Sequence, residues 1–333
     1  MKPRLSVVVA SRNDDHGGDM LARMQAFVRG LDHQSQRHAM GIELVFVEWN
    51  PPLDRPLLHA VLPCPTDGSP LRIRYVMVPG TIHRRWRHHE RMPLFQMIAK
   101  NVGIRRSRGD FVLCTNVDLL FSDALCNFLA DGQFADDVMY RANRCDIPRD
   151  VLNIENIDEQ LTYAQDNVIR RLGEVPWGYG KRFATLRRFK HRIAEWICPS
   201  RRSVLQMTDT EACGDFTLMS RKSWDQIRGY PELGLYSIHV DSLGCLAALA
   251  CGCRQVVLPP ELCTYHMEHD TGWMSMTPAV KMRFTEERPS LDWMVVCEAA
   301  SWMLKHHAPL DVNDDNWGCA GDVFEEMLVD GSC

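Results

Sequence analysis

Residues 99–125 read AKNVGIRRSRGDFVLCTNVDLLFSDAL, and this stretch decides the fold. Within it FVLCT (111–115) is a short apolar run with no charge, the pattern of a strand buried on both faces. The residues before it, Leu94 to Arg106, repeat apolar positions at helical spacing and stop before Gly109-Asp110. Ser122 follows as the expected N-cap of a further helix. The same helix–strand alternation extends outward. LSVVVA (5–10), IELVFVE (42–48) and LRIRYVMV (71–78) read as strands, and Leu21, Met24, Phe27, Val28 and Leu31 fall on one helical face between the first two. Strands alternating with helices imply an α/β fold with a parallel, right-handed βαβ sheet. Ligands of such sheets sit beyond the carboxyl ends of the strands. The positions to inspect are therefore Ser11-Arg12-Asn13, Glu48-Trp49-Asn50 and Asn116-Val117-Asp118.

Downstream, 141–207 loses periodicity and gains charge. Regular signals return with GDFTLMS (214–220), then a helix RKSWDQIR ending at Gly229 and a second helix over Asp241–Cys251 ending at Gly252. RQVVL (254–258) and LCTYH (262–266) read as short strands, Leu291–Lys305 as a C-terminal helix, and the tail as acidic and weakly patterned.

Composition bounds the chemistry. The 333 residues are 45% hydrophobic and 24% charged, ordinary for a globular protein with a sizeable core. Lys+Arg 38 against Asp+Glu 43 leaves a net charge of −5, without the basic excess of a nucleic-acid binder, so no nucleic-acid partner is expected. The 13 cysteines are too sparse for a disulfide scaffold and fit reduced thiols. The apolar run at 5–10 is short for a signal peptide and 243–251 is short for a membrane span, so a cytoplasmic location is expected. No G-x-G-x-x-G follows the first strand and no G-x-x-x-x-G-K-[ST] occurs, which removes the usual glycine-loop phosphate sites. Polar and acidic strand ends suit a nucleotide whose phosphates are held through a metal. Asn116 and Asp118 offer oxygen donors of the kind Mg²⁺ and Mn²⁺ take. Asp118 as a helix cap is the competing reading, since Asp after a strand is common turn chemistry.

The 99–125 stretch resembles the core of GT-A glycosyltransferases, particularly the family-2-like group. There a helix bearing Asn-x-Gly and a basic-rich turn ending Gly-[Asp/Glu] lead into a strand and a D-x-D type motif. Here the motif is Asn116-Val117-Asp118, with Asn in place of the first Asp. VVVASRNDDHGG occupies the nucleoside-facing place, and Glu48 stands where the family has an acid facing the base. ACGDFTLMSRKSWDQIRGYPEL (212–233) is similar to the sugar- and acceptor-facing wall of galactosyltransferase-like members. IHVDSLGCLAALACG (238–252) resembles the helix whose Asp is the base in inverting members, with Val240 where a Glu is usual. CTYHMEHDTGW (263–273) offers His266 where relatives use a third metal ligand.

The resemblance implies a GT-A fold, Rossmann-like, with a mainly parallel sheet flanked by helices and an irregular helical insert. Residues 1–140 would form the nucleotide-sugar-binding half, 141–207 a basic insert, 208–275 the acceptor and catalytic half, and 276–333 a C-terminal helix and tail. It implies transfer of a sugar from a nucleotide-diphosphate sugar to a hydroxyl acceptor, with inversion. Asp241 would be the catalytic base. Asp118 and His266 would hold Mn²⁺ or Mg²⁺, with His269 unassigned. Ser11, Arg12, Asn13, Glu48, Asn101 and Asn116 would meet the donor, and Lys100 or Asn101 would support the metal loop. Other readings stay open: a sugar-nucleotide nucleotidyltransferase, a non-catalytic nucleotide- or glycan-binding relative, a zinc site at Cys263-x-x-His266-x-x-His269, Asp241 as a helix N-cap, and Trp273 as a sugar-stacking or a packing residue. Lys181, Arg182, Arg187, Arg188, Lys190, Arg192, Arg201 and Arg202 with the lone acid Glu195 make 181–202 strongly basic. That segment is either a solvated face or a contact with an anionic, lipid-linked or glycan acceptor, including peripheral contact with an anionic membrane.

Overall fold

A computed structural model of the chain describes residues 3–172, 208–269, 277 and 287–331. The basic segment 181–202 and Trp273 lie outside the described residues.

The alternation read from the sequence is present. β1 (Leu5–Ser11), α1 (Met20–Arg37), β2 (Ile42–Trp49), β3 (Arg72–Val78), a short helical turn α2 (Gly80–His83), α3 (Gln96–Arg106) and β4 (Phe111–Thr115) follow in order. Ser122 caps α4 (Asp123–Asp131) by accepting the Leu125 N–H, after the short strand β5 (Leu119–Phe121). β6 (Val138–Arg141), β7 (Asn143–Ile147), α5 (Ile157–Asp166), β8 (Arg170–Arg171), β9 (Phe216–Ser220), α6 (Arg221–Ile227), α7 (Val240–Ala250), β10 (Arg254–Val257), β11 (Cys263–Met267), α8 (Trp293–His306) and β12 (Glu325–Val329) complete it. Among the described residues no helix is long and apolar enough to cross a membrane.

The main sheet runs β10-β6-β9-β4-β1-β2-β3-β12. Its β3-β2-β1-β4 centre is parallel, as expected, but β9 is antiparallel to both β4 and β6, and β12 is antiparallel to β3. The sheet is thus mainly parallel, as expected, with antiparallel pairings where β9 and β12 enter it. Two further differences concern 141–207 and the tail. Residues 143–171 are regular, supplying β7, α5 and β8, and the tail returns as the edge strand β12. A second sheet, β5-β11-β7-β8, stands beside the first.

Both faces of the central strands are fully buried, which is why β1 and β2 carry apolar residues without alternation. Val7, Val9, Leu44 and Phe46 pack against Met24, Phe27 and Leu31 of α1 on one face. Val8, Val45 and Val47 meet Ile98, Val102 and the α6–α8 helices on the other. The Asn-x-Gly of α3 has a packing cause: a Cβ on Gly103 would come within 2.4 Å of Val8 Cγ1, so the helix can lie this close to β1 only with glycine there.

Candidate functional site

The carboxyl ends of β1, β2 and β4 open on the same edge of the sheet, so their following residues converge. Asp118 lies three residues beyond β4 and is held from a second direction. β11 pairs antiparallel with β5, setting His266 opposite Leu119, and Met267 N–H donates to the Asp118 carbonyl at 3.0 Å. His266 Nε2 and His269 Nε2 each lie 3.5 Å from Asp118 Oδ2. The donor atoms of these three residues lie within 4.8 Å of one another. Asp118 Oδ1 is buried and has no hydrogen-bond partner. An orphaned carboxylate oxygen beside two imidazole nitrogens fits a divalent cation. His269, unassigned from the sequence, stands beside the pair expected there. Burial alone would raise the Asp118 carboxyl, but His266 and His269 hold it well below the usual carboxylate range. His266 moves the other way: burial would lower it, and the Asp118 charge raises it.

The zinc alternative fails on strand geometry. Cys263 and His266 are three residues apart on β11, so a period of two turns them to opposite faces. Cys263 interacts with Cys145 instead, which pulls its thiol down to about 7.

Four residues around this group, Arg23, Arg144, Asp146 and Asp215, escaped the sequence reading. Arg23 of α1 is buried and donates Nη1 to Asp118 Oδ2 at 3.2 Å, while its Nη2 donates to the His16 and Gly18 carbonyls. Its signal was a charge on the apolar face between Met20 and Phe27. Arg144 donates Nε to Asp146 Oδ1 at 2.6 Å and Nη1 to Asp215 Oδ2 at 3.0 Å. His266 Nδ1 lies 2.9 Å from Arg144 Nη2 and 3.2 Å from Asp146 Oδ1, so both members of this charged pair stand behind the imidazole. Arg144 and Asp146 alternate on β7, a signal hidden in a stretch without clear periodicity.

Asn116, at the position of the first Asp, is tied inward. Its Oδ1 accepts from Gln96 Nε2 and Lys100 Nζ, both at 2.8 Å, and its Nδ2 donates to Asp215 Oδ1 at 2.5 Å. Lys100 is fully buried and also donates to the Gly214 carbonyl at 2.8 Å. Of the two residues singled out on α3, Lys100 is the one bonded to the loop that carries Asp118. Asn101 turns to Tyr230 and Glu232: its Nδ2 donates to Tyr230 O at 2.8 Å and Glu232 Oε1 at 2.9 Å, and its Oδ1 accepts the Tyr230 N–H at 2.8 Å. Those bonds occupy the amide within the protein.

Asp241 opens α7 but does not cap it; His239 occupies the N-cap in a left-handed conformation. Asp241 Oδ1 accepts the Ser242 N–H at 2.8 Å. Its Oδ2 lies against Gly214, where a Cβ would come within 2.9 Å. Burial raises the Asp241 carboxyl, opposed by Cys213, the Ser242 N–H, Lys100 and Arg141.

Ser11, Arg12, Asn13 and Glu48 form the far end of the edge. Ser11 and Glu48 are register partners and both are buried. Glu48 Oε2 accepts the Leu58 N–H at 2.9 Å, and Oε1 has no partner. Burial pushes this carboxyl up to about 7 despite that bond and the nearby Arg12. Arg12 Nε is 3.3 Å from Asp14 Oδ2, and Asn13 Nδ2 donates to Pro56 O at 2.7 Å.

No protein-family model and no curated protein matches the chain. Among solved structures it is similar to residues 1–349 of S. aureus TarS, at 14% identity and a TM-score of 0.43 over 91% of this chain and 71% of that one. It is also similar to the catalytic domain of Drosophila beta1,4galactosyltransferase 7 in complex with xylobiose, at 11% identity and a TM-score of 0.35 over 87% and 82%. At these values neither neighbour's chemistry transfers to this chain. The mostly parallel sheet flanked by helices, with polar residues gathered at its carboxyl edge, is the architecture that the GT-A resemblance implies.

Proposed function

We propose that the chain is a metal-dependent glycosyltransferase that moves a sugar from a nucleotide-diphosphate sugar to a hydroxyl acceptor with inversion. The observation that carries this reading is the convergence of Asp118, His266 and His269 at the carboxyl edge of the sheet, with the Asp241 carboxylate packed against Gly214, whose carbonyl Lys100 holds. Asp118, His266 and His269 would hold the cation, and two imidazoles favour Mn²⁺ over Mg²⁺, which prefers oxygen donors. Such a cation, when bound, supplies Lewis-acid neutralisation of the leaving diphosphate. The nucleoside would lie over Ser11, Arg12, Asn13 and Glu48, whose unpartnered Oε1 is an acceptor in want of a donor. Asn116, bonded to Gln96, Lys100 and Asp215, would hold the metal loop in place behind the donor. Asp241 would take the acceptor's proton. A carboxyl raised by burial is a stronger base once ionised, which suits that task near neutral pH. The basic segment 181–202, outside the described residues, is the part of this reading that would meet an anionic glycan, a lipid-linked acceptor or a membrane surface.

The test is incubation with UDP-, GDP- and dTDP-sugars, Mn²⁺ and simple glycoside acceptors, reading released nucleoside diphosphate. Release should need Mn²⁺ and disappear in Asp118→Ala. No release from any donor, or equal release by Asp118→Ala, overturns the reading.

A further inference from the structure

We propose that Lys100 is a positioning residue that holds the metal loop and the base-bearing turn in one frame, a role that rests on the transferase reading for its consequence but not for its geometry. Lys100 Nζ makes two bonds of equal length, 2.8 Å to Asn116 Oδ1 and 2.8 Å to the Gly214 carbonyl. The first fixes the residue two positions before Asp118. The second fixes the residue whose Cα faces Asp241 Oδ2. From Asn116 the polar contacts continue without a gap: Asp215 Oδ1, Arg144 on Asp215 Oδ2, Asp146 on Arg144, and His266 on Asp146, which stands 3.5 Å from Asp118. Beyond the neutral Asn116 amide, carboxylates alternate with Arg144 and the His266 imidazole along this line. Lys100 is the cation at its base-side end, buried on the sheet-facing side of α3 with no exposure to solvent.

The same arrangement accounts for Asn in place of the first Asp. Asn116 accepts from Lys100 and donates to Asp215 at once. A carboxylate at 116 would serve the lysine but would stand 2.5 Å from the Asp215 carboxylate, a like-charge contact that disfavours ionisation of both. An amide is the side chain that joins an ammonium on one side to a carboxylate on the other. Burial lowers the Lys100 ammonium, while Cys114, Asp215, Asp241 and Asp118 pull it back toward the charged form.

The experiment compares the parent with Lys100→Met, Lys100→Gln and Lys100→Arg, each checked for folding by circular dichroism. Mn²⁺ affinity is read by electron paramagnetic resonance with the metal alone, and the pH profile of kcat with whichever nucleotide sugar the parent turns over. Lys100→Met should weaken Mn²⁺ binding about 10-fold, toward the lower end of what outer partners of metal ligands contribute. It should also move the acidic limb of kcat to higher pH, because Asp241 loses a facing cation while Cys213, the Ser242 N–H and Arg141 remain. Lys100→Arg should restore both. If Lys100→Met does not fold, Lys100→Gln, one atom shorter, keeps an N–H donor without the charge and should show the pH shift with a smaller loss of Mn²⁺ affinity. A folded Lys100→Met with the parent's Mn²⁺ affinity and pH profile overturns the proposal, as does a folded Lys100→Gln with an unmoved limb. If the parent turns over no nucleotide sugar, the transferase reading fails and the Mn²⁺ measurement alone decides for the lysine. A parent that neither binds Mn²⁺ nor turns over any donor overturns both.

Discussion

Glu48→Gln should make the protein increasingly more stable than the parent as pH rises from 5 to 8. Glu48 is buried, with no solvent exposure, and its carboxyl is pushed from the ordinary 4.5 up to about 7 by burial. The folded state therefore holds the proton more tightly than the unfolded chain does. Stability from this group is full below the unfolded value and is lost as pH rises through the folded value. At 1.36 kcal/mol per pKa unit the loss comes to about 3 kcal/mol by pH 8, with about 1 kcal/mol already gone at pH 5. Glutamine keeps the shape and can still accept the Leu58 N–H, but it carries no ionisable proton. Urea unfolding of parent and variant at pH 5, 6, 7 and 8 measures the difference directly, since contributions of other groups cancel between the two. The gap should open with pH and level off near 8. Parallel curves from pH 5 to 8 would refute the burial argument and remove the reason to treat Oε1 as an acceptor awaiting a nucleoside.

Asp241→Asn should cost about 10²–10⁴-fold in kcat while donor affinity by calorimetry is kept, because the carboxylate acts on the acceptor. Near-normal turnover would make Asp241 structural. Gly214→Ala places a methyl 2.9 Å from Asp241 Oδ2, and the displaced carboxylate should lower kcat about 10-fold or more with an unchanged melting temperature. Asn101→Ala breaks three hydrogen bonds to Tyr230 and Glu232. It should cost about 2–4 kcal/mol in unfolding free energy while the Mn²⁺-induced rise in melting temperature persists. Loss of that rise with unchanged stability would put Asn101 at the donor site.

What could be read in the residues follows from periodicity. β1, β2 and β4 are buried on both faces, so their apolar runs announce strands, and the residues after them announce the ligand edge. Asp118 was legible for that reason, and His266 through the family resemblance alone. His269 follows β11 in a loop without any period. β12 was invisible because an edge strand needs no apolar alternation: four of its five residues are exposed, and its pairing rests on backbone bonds to β3 and on Arg74 with Glu326. Arg144, Asp146 and Asp215 were hidden for another reason. Charges normally mark surface, and only the three-dimensional meeting of β7, β9 and β11 allows these to be buried as a paired set.

The pairing of β12 with β3 also dictates an order of assembly. The Arg74–Glu326 contact spans 252 residues of chain. At translation rates of roughly 5–20 residues per second, β3 waits about 10–50 s for its outer neighbour. During that interval its backbone amides and carbonyls form an open template for any extended segment. The nascent chain is thus open to mispairing at β3 until β12 arrives. Supplying the β12 segment as a separate peptide during refolding of a chain shortened before residue 323 should suppress aggregation in proportion to its occupancy of that edge.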